Sequence, residues 1–253
     1  MALWTPAEIS PAMWYDASDA STLFDATTGG SLPANGSAIA RWEDKSGNSR
    51  HLTQATSARR PTRQTGIQNS LDIIRLNGAS TQFINSTATI SGTITARHVF
   101  VISLRSSAQA TASSATTFQR LVSTSNGTGA DDFSTGIAMF GALNGSGVPL
   151  AYTCDLRTST DSGVLQNTTI GRNARTNVQN HTGDVGEVVF FLATLSTENR
   201  QLMEGYLHWK WGIQANLASD HPYKNSPPTT GIARPKINGS LFNRGLINGS
   251  LIR

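Results

Sequence analysis

The chain of 253 residues has one cysteine, five histidines and few charges. A single Cys154 excludes an intramolecular disulfide and a cysteine-based zinc site. It reads as a small, partly buried apolar residue. His51, His98, His181, His208 and His221 fall at no i, i+4 spacing and in no metal-binding string. No run of about 18 apolar residues exists, so no membrane-spanning helix is expected. The opening MALWTPAEIS has neither a basic n-region nor a long apolar h-region, so no signal peptide is expected. The chain contains no Walker loop, dinucleotide fingerprint or nucleophile elbow. Gly127-Thr128-Gly129 and Gly145-Ser146-Gly147 lie in hairpin-like turns with no helix after them, which argues against a phosphate cradle.

Charged residues make up only 14% of the chain, against about 25% in an ordinary soluble domain. Hydroxyl side chains fill the gap, with 28 Ser and 30 Thr beside 23 Gly. This composition favours strands and turns over helical bundles, which want Ala, Leu, Glu and Lys. The net charge of +4 has one source. Residues 229–253 hold Arg234, Lys236, Arg244 and Arg253 and no acid, so the remainder is neutral. A nucleic-acid-binding body would need clustered Lys and Arg, so neither nucleic acid nor membrane is an expected partner. The other local cluster, Arg59-Arg60-Pro61-Thr62-Arg63, reads as a solvated loop ahead of a phosphate or polysaccharide contact.

Thr5-Pro6 can open a short helical turn, with Thr as N-cap and Pro at the first helical position. Met13-Trp14-Tyr15 then reads as a strand. Residues 25–190 read as a train of short strands. The candidates are 38–43, 71–76, 83–84, 98–104, 120–123, 137–142, 150–153, 164–170 and 187–192. Asn-Gly and Gly-rich turns between them supply the positive φ angles of tight hairpins. Many short strands with frequent turns read as an all-β, two-sheet antiparallel sandwich of the jelly-roll kind. The stretch 105–119 has little periodicity and reads as an exposed loop.

Residues 196–212 change period. Ser196 is an N-cap with Asn199 three residues on, apolar residues recur at 202, 203, 206 and 207, and Gly212 stands as a C-terminal stop. One helix is predicted here, with Tyr206 and Trp209 inward. Domain organisation follows: a body over 1–224 that includes the helix 196–212, then a Pro-containing linker and arm over 225–253. The arm repeats Ile237-Asn238-Gly239-Ser240-Leu241 as Ile247-Asn248-Gly249-Ser250-Leu251. A lone hairpin is marginal in water, so the arm either docks on the body or adds to a neighbouring subunit by strand pairing, the preferred reading. Its candidate attachment residues are Arg234, Lys236, Ile237, Leu241, Arg244, Ile247, Leu251 and Arg253. The Asn-Gly-Ser sequons match glycosylation acceptors in pattern only.

Several strings carry a resemblance. The opening LWTPAEISPAMWYDASDASTL (3–23), the run RWEDKSGNSRHLTQ (41–54), Arg60-Pro61, Leu76-Asn77-Gly78 and the closing block over 186–228 keep an unusual order and spacing. Together they resemble laminin-G-like, concanavalin A-like lectin/glucanase domains found in bacteriophage virion proteins and related bacterial proteins. The resemblance covers both ends of the body, while residues 85–183 match only in style. It implies a concanavalin A-like jelly roll with a C-terminal helix beside it. It also implies a structural or adhesive role on a phage particle, hence a protein made in the host cytoplasm and placed on the virion surface. One departure stands out: the family's loop after Leu76-Asn77-Gly78 carries an acid before the aromatic, and here Ala79–Phe83 has none.

Chemistry is sparse. Glycosidases of this fold resemble one another in a Glu-x-Asp-x-x-Glu strand, and retaining hydrolysis needs two carboxyls about 5–5.5 Å apart. No such string occurs. Asp131 and Asp132 would point to opposite faces of a strand, and Asp184 and Glu187 read as turn residues. Asp16-Ala17-Ser18-Asp19 and Asp44-Lys45-Ser46-Gly47-Asn48 are the best polar strings. They offer the hard oxygens calcium prefers, but they also make ordinary Asx-turns, and the turn reading is preferred. Asp16 and Asp19 are thus the calcium candidates, and no cofactor is expected. Trp14 and Trp42 flank these strings. Burial is the first reading for both, while an exposed indole could stack on a sugar, which makes Trp42, Asp44 and Asn48 the carbohydrate-binding candidates. His221-Pro222-Tyr223 reads as packing.

The leading expectation is a non-enzymatic, multi-copy virion protein, on the head or associated with the tail. It would be held to other virion proteins by its C-terminal arm. The alternative is an adhesin that recognises host surface polysaccharide. A polysaccharide depolymerase ranks third.

Overall fold

A computed structural model describes residues 2–90, 96–105, 120–125, 138–140, 153–159, 165–173 and 180–230. Its architecture follows from the strand β1 (Met13–Asp16), in which all four residues are buried. Met13 and Tyr15 join one apolar cluster and Trp14 a different one. Successive side chains on a strand point to opposite faces. A strand buried on both faces therefore needs a layer on each side. One layer here is a second sheet and the other is a helix.

Among the described residues the first sheet has six strands. Five run in the order β11 (Thr153–Ser159), β8 (Arg97–Arg105), β13 (Gly183–Phe191), β6 (Leu71–Leu76) and β5 (Thr62–Gln68), and β1 pairs with β13. The second sheet has seven, in the order β10 (Ala138–Phe140), β9 (Arg120–Ser125), β12 (Gln166–Ile170), β7 (Ile84–Ser86), β4 (Leu52–Thr53), β3 (Arg41–Trp42) and β2 (Leu23–Phe24). Every pairing is antiparallel. The chain is therefore all-β in two antiparallel sheets with one helix, as the composition led us to expect.

The inter-sheet core takes Met13, Tyr15, Ile74, Val101, Val188 and Phe190 from the first sheet and Leu23, Trp42, Leu52, Ile84, Val122 and Ile170 from the second. The other face of the first sheet presents Trp14, Ile73, Phe100, Ile102, Val189 and Phe191 to the helix. Each of these large side chains, fully buried, contributes about 1.5–3 kcal/mol.

A bulge in β13 decides what faces the helix. Val185 pairs with Ser103 and Glu187 with the adjacent Ile102, so Gly186 is the extra residue. The insertion resets the alternation. Val185 and Val188 both face the inter-sheet core, and Glu187 turns to the helix side. Gly186 has a second duty: a Cβ there would lie 2.7 Å from the Trp211 ring.

The helix α1 (Thr197–Lys210) starts as predicted. The Ser196 side chain accepts a hydrogen bond from the Asn199 N–H at 3.1 Å. It stops as predicted too. Gly212 takes φ +69°, the Gly212 N–H donates to the Trp209 carbonyl, and the Ile213 N–H donates to the His208 carbonyl. These two bonds are the Schellman pattern. Of the two side chains expected inward, Tyr206 is buried but Trp209 is only half-buried, its indole N–H donating to the Tyr223 carbonyl. Trp211, just past the helix, is the fully buried tryptophan.

Other expectations shift. Thr5 precedes a 3-10 turn at Pro6–Ile9, but its side chain makes no capping bond, and the fixed φ of Pro6 starts the turn. The strand expected over 38–43 shrinks to Arg41–Trp42. Of the one expected at 150–153, Thr153 belongs to a strand that runs on to Ser159, and 150–152 lie outside the described residues. Strand β5, unforeseen in the sequence, forms a hairpin with β6 through Asn69 and Ser70, both at positive φ. Asn69 and Gln68 donate to the Lys210 and Trp211 carbonyls at 2.8 and 2.7 Å. The hairpin tip thus serves carbonyls the helix leaves open. The loop expected over 105–119 lies outside the described residues from 106 on. So does the arm beyond Thr230, with all eight candidate attachment residues.

Candidate functional site

The polar residues the sequence singles out converge under the C-terminal end of α1. Asp16 and Glu187 lie directly opposite each other on β1 and β13. Like charges in that position repel. Lys210 separates them, its Nζ 2.8 Å from a carboxylate oxygen of each. Lys45 continues the chain of charges, 2.9 Å from Asp16 and 2.7 Å from Asp19.

Glu187 is fully buried and accepts four hydrogen bonds. Trp14 Nε1 donates at 2.7 Å and the Tyr206 hydroxyl at 3.0 Å to one oxygen. Lys210 Nζ and Trp211 Nε1 donate to the other, each at 2.8 Å. The carboxylate is thereby satisfied by donors from β1, α1 and the residue after it. Burial still pushes the Glu187 pKa up, with Lys210 opposing and Asp16 adding to the rise. Burial also favours a higher pKa for Asp16, but Lys210 and Lys45 outweigh it and hold that carboxyl below its ordinary value. The Lys45 pKa rises: burial works against its charge, and Asp16 and Asp19 win. Tyr206 is pushed well above its usual range, by burial first and then by the charge of Glu187. The cluster is a satisfied electrostatic clasp that ties helix to sheet.

Reading Glu187 as a turn residue is therefore corrected: the bulge carries it into the interior. Asp184 is not a turn residue either. It lies buried in β13, and Arg75 grips both its oxygens at 2.7 and 2.9 Å. The one visible signal was two acids inside a nearly continuous apolar run, with a lysine at a helix end downstream.

The carbohydrate candidates have separate fates. Trp42 is 0% exposed, and its indole N–H is buried without a partner among the described residues. It packs against Tyr15, with ring centroids 5.6 Å apart, and offers no face to a sugar. Asp44 is a loop anchor. Its oxygens accept from the backbone N–H groups of Trp14, Ser46 and Arg50 and from the Ser46 hydroxyl, at 2.8–3.1 Å. Asn48 is exposed, and its amide donates to the Ala12 carbonyl at 3.0 Å. That carbonyl also receives the Arg50 guanidinium at 2.6 Å. The loop 44–50 is thus a clamp over the start of β1.

The calcium candidates Asp16 and Asp19 share the Lys45 ammonium, which fills the position a cation would take between them. Among the described residues, no three His, Cys, Asp or Glu side chains group as metal ligands.

The arginine run is not a solvated loop. Arg63 donates twice to Asp72, at 2.6 and 2.9 Å, and Arg60 donates to the carbonyls of Gln54, Asp25 and Ala55. Arg59 alone is exposed, with no side-chain bond among the described residues. Cys154 is half-buried against the helix-side core, as expected. It lines a cleft of about 410 Å³ with Glu204, His208 and His221. Burial lowers the His208 pKa. His221 packs on Tyr223, with ring centroids 5.9 Å apart, and contacts Glu204 at 3.1 Å.

A two-sheet, antiparallel β protein with a clasped C-terminal helix is the class these features define. No protein-family model matches the chain, and no curated protein or solved structure matches it.

Proposed function

We propose that this protein is a non-enzymatic structural protein on the surface of a bacteriophage particle. Its body is a concanavalin A-like jelly roll, and its C-terminal arm fixes it to other virion proteins. The observation that carries this reading is where the body ends. Leu3 pairs with Thr229, the Trp4 N–H donates to the Pro228 carbonyl, and the Thr230 N–H donates to the Ala2 carbonyl at 2.9 Å. The body is stitched shut at the point where the basic, repeat-bearing segment departs. Thr230, the last described residue, is thus held in one fixed position, a suitable root for a tether. The strings behind the resemblance support the same reading, because they meet in one clasp: Trp14, Asp16, Lys45, Glu187 and Lys210. Its carboxylates are committed to internal donors, which suits a scaffold. The experiment is immunogold electron microscopy of particles with an antibody to this chain. Label over the head or the tail is the expected result, and an unlabelled particle overturns the reading.

A glycan-binding adhesin is a second reading, favoured by one feature: beside Phe83 stand two arginines, Arg59 and Arg172, with no carboxylate partner among the described residues.

A further inference from the structure

Residues Phe83 and Gly171 emerge at the same end of the second sheet, where Ile84 of β7 pairs with Ile170 of β12. Arg172 turns back there, and its guanidinium lies over the Phe83 ring, 3.2 Å from the centroid. Phe83 is tied to the chain on its other side, its N–H donating to the Arg59 carbonyl at 3.0 Å. Arg172 therefore lies over Phe83, and the backbone of Arg59 is held beside it. Burial, and then the charge of Arg59, lower the Arg172 pKa to about 10.

Neither guanidinium has a carboxylate partner among the described residues. Four other arginines pair with acids, Arg41 with Glu43, Arg63 with Asp72, Arg75 with Asp184 and Arg200 with Glu204, and Arg50 and Arg60 donate to backbone carbonyls. Here the adjacent run Gly78–Phe83 contains no acid. The Arg172 Nε is buried and without a hydrogen bond among the described residues. A buried donor left unmade is costly, and the nearby charge of Arg59 adds to the cost of the Arg172 charge. An arriving anion offsets the two like charges. Stacking on Phe83 fixes the plane of the guanidinium, so its fork is set for bidentate contact before a ligand arrives.

We propose that Arg59 and Arg172 form a subsite for the anionic group of an acidic saccharide, a carboxylate or a sulfate ester. The subsite deepens the glycan reading and rests on it. Nucleic acid is disfavoured because the body as a whole is neutral and offers this pair rather than a basic stripe.

Calorimetry of the full chain tests it. The probes are trisaccharides carrying galacturonate, glucuronate or O-sulfated galactose, with maltotriose, sodium sulfate and a short DNA duplex as comparisons. At least one acidic trisaccharide should bind, more tightly than sulfate alone and more weakly as salt is raised. Arg59→Gln and Arg172→Gln should each weaken it about tenfold, the loss of one charge-assisted contact. Arg59 is exposed and makes no side-chain bond among the described residues, so its variant keeps the test valid should Arg172→Gln disturb folding. Unchanged affinity in both variants overturns the subsite, as does sulfate or DNA binding tighter than the saccharides. Binding of maltotriose alone, equal in wild type and variants, removes the subsite and leaves the glycan reading. No saccharide binding at all removes both.

Discussion

Lys210 is the residue on which the clasp turns. It stands between two carboxylates that face each other across paired strands. Lys210→Met should therefore cost about 3–5 kcal/mol at neutral pH, the usual result of stripping one partner from buried charges. The cost should shrink as the pH is lowered. Glu187 already has a raised pKa, chiefly from burial, and Lys210 is what restrains it. A carboxyl with a raised folded-state pKa protonates in the folded protein before it does so in the unfolded chain, so acid favours folding through that group. Urea unfolding at pH 7 and pH 5 checks this, and a deficit that grows toward pH 5 counts against it. Asp16 has the opposite sign. Its pKa lies below the ordinary 3.8, so its contribution is complete above that pH and is lost as the pH falls below it. An Asp16→Asn protein should show a shallower acid limb when the urea measurement is carried below the ordinary 3.8. The sequence flagged Asp16, Asp19 and Asp44 as polar residues of note. It read Glu187 as a turn residue, because an inserted glycine reverses which face the following residues occupy.

At the scale of elements, local signals and long-range contacts divide the result. The helix was legible because capping is local chemistry: Ser196 and Gly212 act within a few residues of themselves. Ser196→Ala should cost about 1 kcal/mol in thermal or denaturant unfolding. Strand β5 was not legible, because Thr62–Gln68 is polar and exposed or half-buried throughout. It is an edge strand that needs no apolar alternation. The turn that makes it a hairpin, Asn69-Ser70, takes positive φ without glycine. The bulge at Gly186 is the tightest element-level constraint. Gly186→Ala would drive a methyl group into the Trp211 ring and should destabilise the fold by about 1–3 kcal/mol. Unchanged near-UV circular dichroism and an unchanged midpoint would show that Trp211 moves away freely.

For the whole molecule, the bridge between Leu3 and Thr229 closes the described body, and the proposed tether would begin beyond it. Deleting 231–253 keeps that bridge and should leave the unfolding temperature of the body unchanged. The truncated chain should fail to join particles, and normal incorporation would refute the tether. Extending the deletion to 225–253 removes Pro227 and Pro228, which line a cleft of about 130 Å³ with Trp4 and Tyr206. That longer deletion should lower the unfolding temperature, because Trp4 and Tyr206 lose cover.

The sequence by itself determined the all-β class, the helix with both its ends, and the uneven placement of charge. Each of these is a property of composition or of neighbours a few residues apart. Tertiary structure alone decided the fate of the polar strings. Asp16, Lys45, Glu187 and Lys210 come from segments up to 194 positions apart in the chain, and only closing the sheets brings their charges within 3 Å of one another. Trp42 was likewise open to core or sugar until Tyr15 covered it. Burial and charge pairing are set by what arrives from elsewhere in the chain, and one strand carries no record of that.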